Sequence, residues 1–449
     1  MRVKSKNKIV NNGLNKQIFS LTIPNIITNI TIPLLGMVDI AVIGHISYSG
    51  KATDYIGAVA VGSMIFNFLY WGFGFLRMGT SGFTAQAYGA KDRTEQIDSL
   101  IRASVIGLGI AVIILLLQRP IGIFASMFID NKNNVMNLAL EYFFIRIWAA
   151  PAVLGMYALK GWFIGMQDSK TPMWTAIIIN VINILFDIFF VIYLGMRLEG
   201  VALATVISQY VGFSLISIIF FVRYRKLYSI SILRALQLNK MKLFFKVNGD
   251  IFLRTICIVI VTTYFTIASS SYPYPTLAVN TLIMQLFSLF SYFIDGFAYA
   301  CESLCGKYYG AKDIIGLRRI VNRVILWGMG LAILCSLLYG VAGKQIISLI
   351  TDHEDLIRAS EQYKLWLVLI PLTGFLAFLY DGILIGMTQS KIMRNSIFVS
   401  TALFFLSYFC FSKTVDALWL GFILYLLGRS LLMFLLSRKH IYGKQIKIE

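Results

Sequence analysis

Charged residues are scarce in this chain of 449 residues: Asp, Glu, Lys and Arg make up 14% of it, whereas 58% of the residues are hydrophobic. Soluble globular domains carry about 25% charged residues, so a water-soluble protein with a polar shell is excluded. The mean hydropathy of +0.76 indicates that most of the surface faces lipid. Because a membrane-spanning helix needs about 20 apolar residues, the chain has room for roughly a dozen spans.

Histidine and cysteine are rare as well. The three histidines (His45, His353 and His440) are scattered on loops or ends, and the five cysteines form no C-x-x-C pair. Neither a metal centre nor a disulfide framework is therefore predicted. The chain also lacks a G-x-S-x-G sequence and a Walker sequence, which argues against hydrolase chemistry and an ATP-driven pump. We predict no enzymatic activity, no catalytic residue, no metal and no cofactor.

The excess of basic residues, a formal net charge of +19, has a topological explanation. Nucleic-acid-binding proteins gather Lys and Arg on one solvated face. Here the basic residues lie in short gaps between apolar runs, where the positive-inside rule places them; Lys6 and Lys8 precede the first run and Arg438 and Lys439 follow the last. We expect no nucleic-acid partner, a multi-pass protein of the inner membrane, and both termini in the cytoplasm. The first apolar stretch is too long for a cleavable signal peptide.

Hydropathy predicts an all-α integral membrane protein with twelve transmembrane helices in two six-helix bundles. The basic segment 223–246 divides the chain into an N-lobe, 1–222, and a C-lobe, 247–449. That segment either lies flat on an anionic inner leaflet or forms a plain solvated linker. The predicted spans are 18–45, 55–82, 97–118, 138–163, 172–194, 199–222, 247–269, 276–305, 318–342, 360–386, 395–412 and 416–436.

An internal repeat supports this division. The five residues 88–92, Tyr-Gly-Ala-Lys-Asp, recur unchanged at 309–313, and Ile164-Gly165-Met166 recurs as Ile385-Gly386-Met387. Both matches have the same offset of 221 residues, which indicates duplication. Since six spans are an even number, the two halves have the same topology. They are expected to be related by an axis along the membrane normal, as in transporters whose two bundles rock about a shared cavity.

Polar side chains within the first half form the best candidate site, because ionisable groups at membrane depth are costly and usually functional. Asp39 lies in the first span, and Asn180, Asn183 and Asp187 follow one face of the fifth at i, i+3 and i+7. Thr205 lies at a similar depth in the sixth. Burial disfavours the charged form of a carboxylate, and a second carboxylate disfavours it further, so such a pair can take up a proton. The alternative is that these groups only hydrogen-bond helices together.

Lys160 offers a cation to this site. It lies about as far before the turn near residue 170 as Asn180 lies after it, so a hairpin would bring it level with Asn180 and within reach of Asn183 and Asp187. Lys160 would then be a built-in counter-ion that leaves when a carboxylate is protonated. In the alternative interpretation it snorkels to the inner membrane surface.

The repeat predicts that the second half lacks this site, because the equivalent positions are Ile260, Phe404 and Tyr408. The two halves are therefore expected to have specialised.

The second half has acidic residues of its own at Asp295, Glu302 and Asp381. They could form a second cation site or part of the substrate-binding wall. The alternative is that they pair with Arg254 or Arg429.

Pro24 and Pro33 are expected to interrupt the first span, because proline removes a backbone hydrogen bond and allows a kink. A kinkable helix that carries a titratable Asp39 is a candidate gate.

Several stretches resemble the multidrug and toxic compound extrusion (MATE) transporters along the whole chain. In the first half these are IPNIITNITIPLLGMVDIAVIGH, GFLRMGTSGFTAQAYGAKD, GWFIGMQDSKTPM, NILFD and GVALATVISQ. The stretches GFLRMGTSG and IDGFAYACESLCGKYYGA resemble the DinF-like subgroup in particular.

The resemblance implies a V-shaped pair of six-helix bundles that exports amphipathic, often cationic, compounds in exchange for H⁺ or Na⁺. It places the family's first-helix carboxylate on Asp39 and its bending proline on Pro24. It also places the polar pair of the fifth helix on Asn183 and Asp187, and the threonine of the sixth on Thr205.

Two departures from the family pattern favour H⁺ over Na⁺ as the coupling ion. Lys160 stands where some members have a neutral Asn, and Asp381 lies closer to the Gly-Met turn than the family's sodium site in the second lobe expects.

We therefore predict a proton-coupled multidrug antiporter that works by alternating access as a monomer, with small amphipathic or cationic compounds and membrane lipids as its partners. One alternative is a Na⁺-coupled antiporter. Another is a flippase of lipid-linked oligosaccharides or other lipids, which would line its cavity with basic residues; the candidates are Arg77, Arg102, Arg146, Arg254 and Arg429.

Overall fold

The computed structural model describes residues 2–44, 52–127, 135–411 and 413–443, and all regular structure in these residues is helical. In the first half of the chain the helices are α1 (Arg2–Gly44), α2 (Ala52–Gly72), α3 (Phe75–Gly89), α4 (Arg93–Leu116), α5 (Gln118–Ser126), α6 (Val135–Arg146), α7 (Ala150–Gly165), α8 (Lys170–Asp187) and α9 (Leu198–Arg223).

The second half has α10 (Ile232–Ala235), α11 (Leu238–Ser270), α12 (Thr276–Gly310), α13 (Ile314–Ser348), α14 (Glu354–Ser360), α15 (Lys364–Gly386), α16 (Ser390–Cys410) and α17 (Val415–Tyr442). Short 3₁₀ turns connect several of these helices, at Ile147–Ala149, Arg225–Leu227 and Glu361–Tyr363.

Twelve helical segments of the described residues are long and apolar enough to cross a membrane. They coincide with the twelve predicted spans, so the predicted fold class is confirmed. Three spans are interrupted: the second is α2 and α3 (Thr53–Gly89), the fourth is α6 and α7 (Val135–Gly165), and the tenth is α14 and α15 (Glu354–Gly386).

The chain divides into two compact units by its internal contacts. The N-unit consists of Ile27–Thr84 and Asp92–Leu243, and the C-unit of Met1–Ile26, Ala85–Lys91 and Phe244–Glu449. Each unit is built around its own apolar core. In the N-unit Phe66, Tyr142 and Phe143 belong to that core; in the C-unit Phe265 and Trp419 do.

These units depart from the predicted N-lobe in two segments. The start of α1 and the end of α3 belong to the C-unit. The second of these, Ala85–Lys91, contains the first four residues of the repeated segment 88–92. The segment that shows the duplication therefore also lies where the chain changes from one unit to the other.

The basic segment 223–246 is not a solvated linker, which corrects that alternative. It includes α10 and the start of α11, and Tyr228 and Ala235 within it are buried. The Tyr228 ring packs edge-on against Trp162, and its hydroxyl donates to Gln96. Leu233 is nevertheless 89% exposed, so an interfacial position on the inner leaflet stays a prediction.

Two ion pairs join this segment to α4 of the N-unit. Arg234 donates to the buried carboxylate of Asp98 on α4 at 2.9 to 3.1 Å, and Lys240 lies 2.8 Å from a carboxylate oxygen of Glu95.

The backbone conformation is similar at equivalent positions of the two sequence repeats. Lys91 and Lys312 both have φ of 57°, and Gln167 and Thr388, also 221 residues apart, have φ of 66° and 52°. These positive values are uncommon for residues with a side chain, so their coincidence at equivalent positions indicates two copies of one turn geometry.

The two copies of the Tyr-Gly-Ala-Lys-Asp sequence meet within the C-unit. A Cβ on Gly89 would overlap the backbone carbonyl of Lys307, and a Cβ on Gly310 would overlap the backbone carbonyl of Gln86. The ends of α3 and α12 are therefore in direct backbone contact, which glycine alone allows. The side chain of Gln86 also donates to Gly386 O at 2.9 Å.

Candidate functional site

Four of the predicted site residues converge in the N-unit. Asp39 projects from α1, Asn183 and Asp187 from α8, and Thr205 from α9. All four side chains are buried, with at most 1% of each residue exposed. The polar stripe on α8 therefore faces other helices rather than lipid, as its one-face spacing predicts.

Asn183 bridges the two carboxylates. Its amide nitrogen donates to Asp39 Oδ1 and to Asp187 Oδ2, both at 3.2 Å, in the orientation that satisfies both ends of the amide. The other terminal atom of the amide lies 3.5 Å from Thr205 Oγ1. Thr205 itself donates to the backbone carbonyl of Val201 one turn earlier. The result is a compact arrangement of two acids joined by one neutral donor.

Asp187 ends the α-helical part of its span, and a π-helical turn follows at Ile188–Tyr193. Such turns occur frequently at functional sites because they displace side chains from the regular register. Asp187 Oδ1 accepts no hydrogen bond from the described residues although it is buried. A buried carboxylate with an unsatisfied oxygen is a good acceptor for a proton or a cation.

Arg146 is the cation that faces this pair. It lies at the end of α6, where its guanidinium donates to Tyr142 Oη at 2.7 Å and to Ser63 Oγ at 3.0 Å. It interacts electrostatically with both Asp39 and Asp187. From the sequence, Arg146 is a candidate only for the basic residues that would line the cavity of a flippase. Its position inside the predicted span 138–163 was the available signal, because an intramembrane arginine requires a partner.

Lys160 is not the cation that acts on the carboxylate pair. It is half-buried on α7, and the charge that acts on it is the guanidinium of Arg77. The charges that act on Asp187 are Asp39 and Arg146. The expectation that Lys160 is the counter-ion of Asp187 is corrected in favour of Arg146.

Asn180 has a separate role from Asn183. Its amide donates to the backbone carbonyl of Thr31 on α1 at 2.9 Å. This bond ties α8 to α1 about two helical turns away from the two carboxylates, which is the helix-joining role considered for Asn180.

The two prolines lie within one continuous helix, because α1 runs from Arg2 to Gly44 without a break. The expectation that they interrupt the span is therefore corrected. However, the assignment of α1 changes from the C-unit to the N-unit between Ile26 and Ile27, two residues after Pro24.

The acids of the second half lie in the C-unit, where Asp381 pairs with both arginines. Its Oδ2 accepts from Arg254 at 2.6 Å and from Arg429 at 2.7 Å. Glu302 is buried, and Asp295 is half-buried and interacts electrostatically with Arg429. The ion-pairing alternative is therefore correct for Asp381.

The residues equivalent to the acidic site have apolar surroundings. Phe404 and Tyr408 belong to the apolar core of the C-unit, and Ile260 is 45% exposed. Tyr408 shares a hydrogen bond of 3.1 Å with the hydroxyl of Tyr272.

No group of three or more His, Cys, Asp or Glu side chains in the described part of the chain has an arrangement that could hold a metal ion. The carboxylates of Asp39 and Asp187 form a pair, with the amide of Asn183 and the hydroxyl of Thr205 beside it.

Comparison with known proteins identifies the family of the chain. The MatE family model matches residues 24–189 and 251–408, which include both members of the carboxylate pair. DNA damage-inducible protein F of Escherichia coli (strain K12) is 34% identical over 95% of this chain and 92% of its own length. A probable multidrug resistance protein NorM of Thermotoga maritima is 26% identical over 47% of this chain and 45% of its own length.

Two solved structures are similar to this chain over nearly its whole length. A multidrug resistance MATE family transporter in an outward-facing conformation superposes with a TM-score of 0.78 at 20% identity, over 96% of both chains. A eukaryotic MATE transporter superposes with a TM-score of 0.82 at 16% identity, over 96% of this chain and 97% of its own. With a family model that covers both halves, a relative similar over nearly the full length and twelve spans in a matching fold, this chain belongs to the MatE family of multi-pass membrane transporters.

Proposed function

We propose that this protein is a proton-coupled antiporter of the inner membrane that exports amphipathic or cationic organic compounds by alternating access. The observation that carries the proposal is the buried pair Asp39 and Asp187, bridged by Asn183 and faced by Arg146. Its family relatives include proteins named for multidrug resistance, which supports a small organic compound as the substrate.

The carboxylate pair can hold one proton between two acids. When both are ionised, their mutual repulsion in a buried site favours uptake of a proton or of a cationic compound. Arg146 offsets one of the two negative charges, so the cluster alternates between a net charge of about −1 without a proton and 0 with one. A cationic substrate and a proton would compete for the same excess negative charge. This competition is what antiport requires.

The coupling ion in the proposal is H⁺ rather than Na⁺. A sodium site needs several oxygen ligands around one point, whereas two neighbouring carboxylates, Asp39 and Asp187, are enough to share one proton.

Alternating access requires a hinge. The change of contacts just after Pro24 makes that proline a candidate hinge. The backbone contact of Gly89 with Lys307 lies within the C-unit and joins regions that the positive-inside rule places in the cytoplasm.

The flippase alternative has less support from the arginines of the N-unit. Arg102 pairs with Glu95 and donates to the carbonyl of Ala235, and Arg146 donates to Tyr142. Both are engaged within the protein rather than collected on one surface for a phosphate.

The test is transport in sealed proteoliposomes with an imposed pH gradient, using a fluorescent organic cation as the substrate. We expect the gradient to drive its movement in Na⁺-free buffer, and an imposed Na⁺ gradient alone to have no effect. A requirement for Na⁺ would contradict the proton assignment. No gradient-driven movement of any organic cation, with correctly inserted protein, would contradict the antiport proposal.

A further inference from the structure

The first turns of α13 carry three arginines that differ in their contacts. Arg318 donates to three backbone carbonyls at the end of α17, at 2.8 to 3.0 Å, and so caps that helix. Arg319 is exposed and Arg323 is half-buried. Within the described residues, neither of these two takes part in a hydrogen bond or an ion pair. Their guanidinium groups are therefore available to a partner from outside the chain.

The acid at the start of α13 does not pair with either arginine. The charges of Asp313 and Arg319 both act on Tyr308. However, the carboxylate of Asp313 accepts from the backbone nitrogen of Gly316 at 2.8 Å, as the cap of α13. Asp313 thus stabilises the start of the helix and forms no ion pair with Arg319.

The chain around this end of α13 is otherwise basic. Asp313 is the only acid between residues 303 and 351, and Lys312 precedes it. The start of α1 and the end of α17 both contact α13, and they contribute no acid, since residues 1–38 and 417–448 contain none. Two cations without an acidic partner in the described part of the chain complement a ligand of negative charge.

Arg319 and Arg323 stand at the head of an exposed stripe of α13. Positions 319, 323, 326, 330, 334 and 337 follow at steps of three or four residues and so share one face of the helix. Beyond the arginines this face is apolar, with Leu326, Leu334 and Leu337 exposed by 51%, 54% and 60%. The distance along the helix from position 323 to 334 is about 17 Å, close to half of a hydrocarbon core of about 30 Å. The stripe has the length of one leaflet.

Trp327 lies beside this stripe, between its basic and its apolar part. It is 37% exposed, and its indole nitrogen donates to Asn15 Oδ1 on α1 at 3.2 Å. Its ring packs edge-on against Phe19, with the centroids 4.8 Å apart. Tryptophan is enriched at the boundary between membrane and water, because its ring is amphipathic. The indole therefore indicates where the headgroup level meets the acyl chains on this face.

We propose that the inner end of α13, through Arg319, Arg323, Trp327 and Leu326, binds a phospholipid with an anionic headgroup. This surface is here called the α13 lipid site. The two guanidinium groups contact the phosphate, whose oxygens match their planar fork of donors, and an acyl chain lies along Leu326 and the leucines beyond it.

An anionic lipid is favoured over a zwitterionic one because two unpaired cations lie at the headgroup level with no acid paired to them in the described residues. Because the basic gap near residue 310 is expected in the cytoplasm, the lipid belongs to the inner leaflet. The site goes beyond the proposed antiport and depends neither on the substrate nor on the coupling ion.

The experiment measures which lipid occupies the surface beside Trp327. The full chain is reconstituted in dioleoylphosphatidylcholine bilayers, into which phosphatidylglycerol with brominated acyl chains is mixed in increasing amounts; phosphatidylcholine with the same brominated chains is used in parallel. Brominated chains quench the fluorescence of a tryptophan that they touch. Each variant is paired with its own Trp327→Phe counterpart, so that the difference between the two signals reports Trp327 alone.

We expect phosphatidylglycerol to bind beside Trp327 about fivefold more tightly than phosphatidylcholine, or more. Replacing both arginines, as Arg319→Gln with Arg323→Gln, should remove this preference and leave the melting temperature unchanged. The matched control is Lys170→Gln with Lys391→Gln, which removes the same charge at two exposed lysines 221 residues apart. The control should keep the preference of the wild type.

Three results would overturn the proposal. Equal affinity of the wild type for the two lipids would mean that ordinary annular lipid covers this face. An equal loss of preference in the lysine control would mean that the whole basic chain attracts anionic bilayers without a site at α13. Quenching of Trp327 by neither brominated lipid would mean that protein, such as a second copy of the chain, covers this face. Because no gradient is imposed, failure of the antiport in a transport assay would leave the binding result unaffected.

Discussion

The amide nitrogen of Asn183 lies 3.2 Å from Oδ2 of Asp187, one helical turn further along α8. The same nitrogen donates to Asp39 on α1 at an equal distance. One neutral side chain therefore holds two acids from different helices. Under the proposed function, a change of protonation at either acid would be transmitted through Asn183 to the other acid and to both helices. This arrangement makes the cluster suitable for coupling proton binding to helix movement.

Replacement of Asp39 should uncouple transport. In Asp39→Asn the cluster retains one acid and Arg146, so the excess negative charge that a proton or a cationic substrate would neutralise is lost. We expect proton-driven efflux from proteoliposomes to fall to the background rate, while the protein remains folded and inserted because the amide occupies the same volume. Efflux at the wild-type rate by this variant would contradict the role of Asp39.

The matched control for this substitution is Asp352→Asn, which makes the same chemical change at an exposed carboxylate between α13 and α14. Its efflux rate should equal that of the wild type.

The choice between Arg146 and Lys160 as counter-ion is testable by removing each charge. Arg146 acts on both carboxylates, whereas Lys160 is affected by Arg77 instead. We expect Arg146→Met to reduce proton-driven efflux at least tenfold, because the ionised state of the pair loses its buried cation. Lys160→Met should retain most of the coupling. Equal loss in the two variants, measured by efflux under the same pH gradient, would restore Lys160 to the mechanism.

The second half should tolerate changes at the positions equivalent to the acids. Tyr408 corresponds to Asp187 in the repeat, and its hydroxyl bonds only to Tyr272 among the contacts of the described residues. Tyr408→Phe loses one hydrogen bond, which costs about 1 kcal/mol of stability, and should leave proton coupling intact. Uncoupling as severe as that of Asp187→Asn, in the same efflux measurement, would show that the two halves do not differ as described.

Much of the fold follows from the sequence because its signals are local. Twelve apolar runs of bilayer length are readable without any knowledge of tertiary contacts. The i, i+3, i+7 spacing on α8 predicted that the polar stripe would face other helices, and Asn183 and Asp187 are buried as expected. The offset of 221 residues indicated a duplication, and the paired positive φ angles at Lys91 and Lys312 agree with it.

The partners of each charge could not be predicted in the same way. Which cation faces Asp187 depends on the rotation of α6 and α7 about their axes, and hydropathy does not determine this rotation. A simple hairpin puts Lys160 level with Asn180, which left its two interpretations, counter-ion and snorkelling, equally open; Arg146 stands at the end of α6, where a 3₁₀ turn at Ile147–Ala149 separates α6 from α7. The shared use of Asp381 by two arginines also depends on tertiary packing of three helices distant in sequence.

The last prediction concerns the contact between the repeated sequences in the C-unit. A Cβ on Gly89 would overlap the carbonyl of Lys307, a backbone atom that cannot move aside without shifting its helix. Gly89→Ala should therefore separate the ends of α3 and α12 and cost about 1–3 kcal/mol, as overpacking does elsewhere.

Two other helical glycines provide the control for Gly89→Ala, since a Cβ on Gly109 or on Gly330 would meet nothing within 4 Å. Alanine at either position should leave stability unchanged or raise it by up to about 1 kcal/mol, because alanine favours the helix. The measurement is the apparent melting temperature of the purified chain together with its efflux rate. Because the contact is part of the packing of the C-unit, we expect Gly89→Ala to lower both quantities while the two control variants lower neither. Retention of full stability and efflux by Gly89→Ala would mean that α3 and α12 need not touch at this position for the transport cycle to proceed.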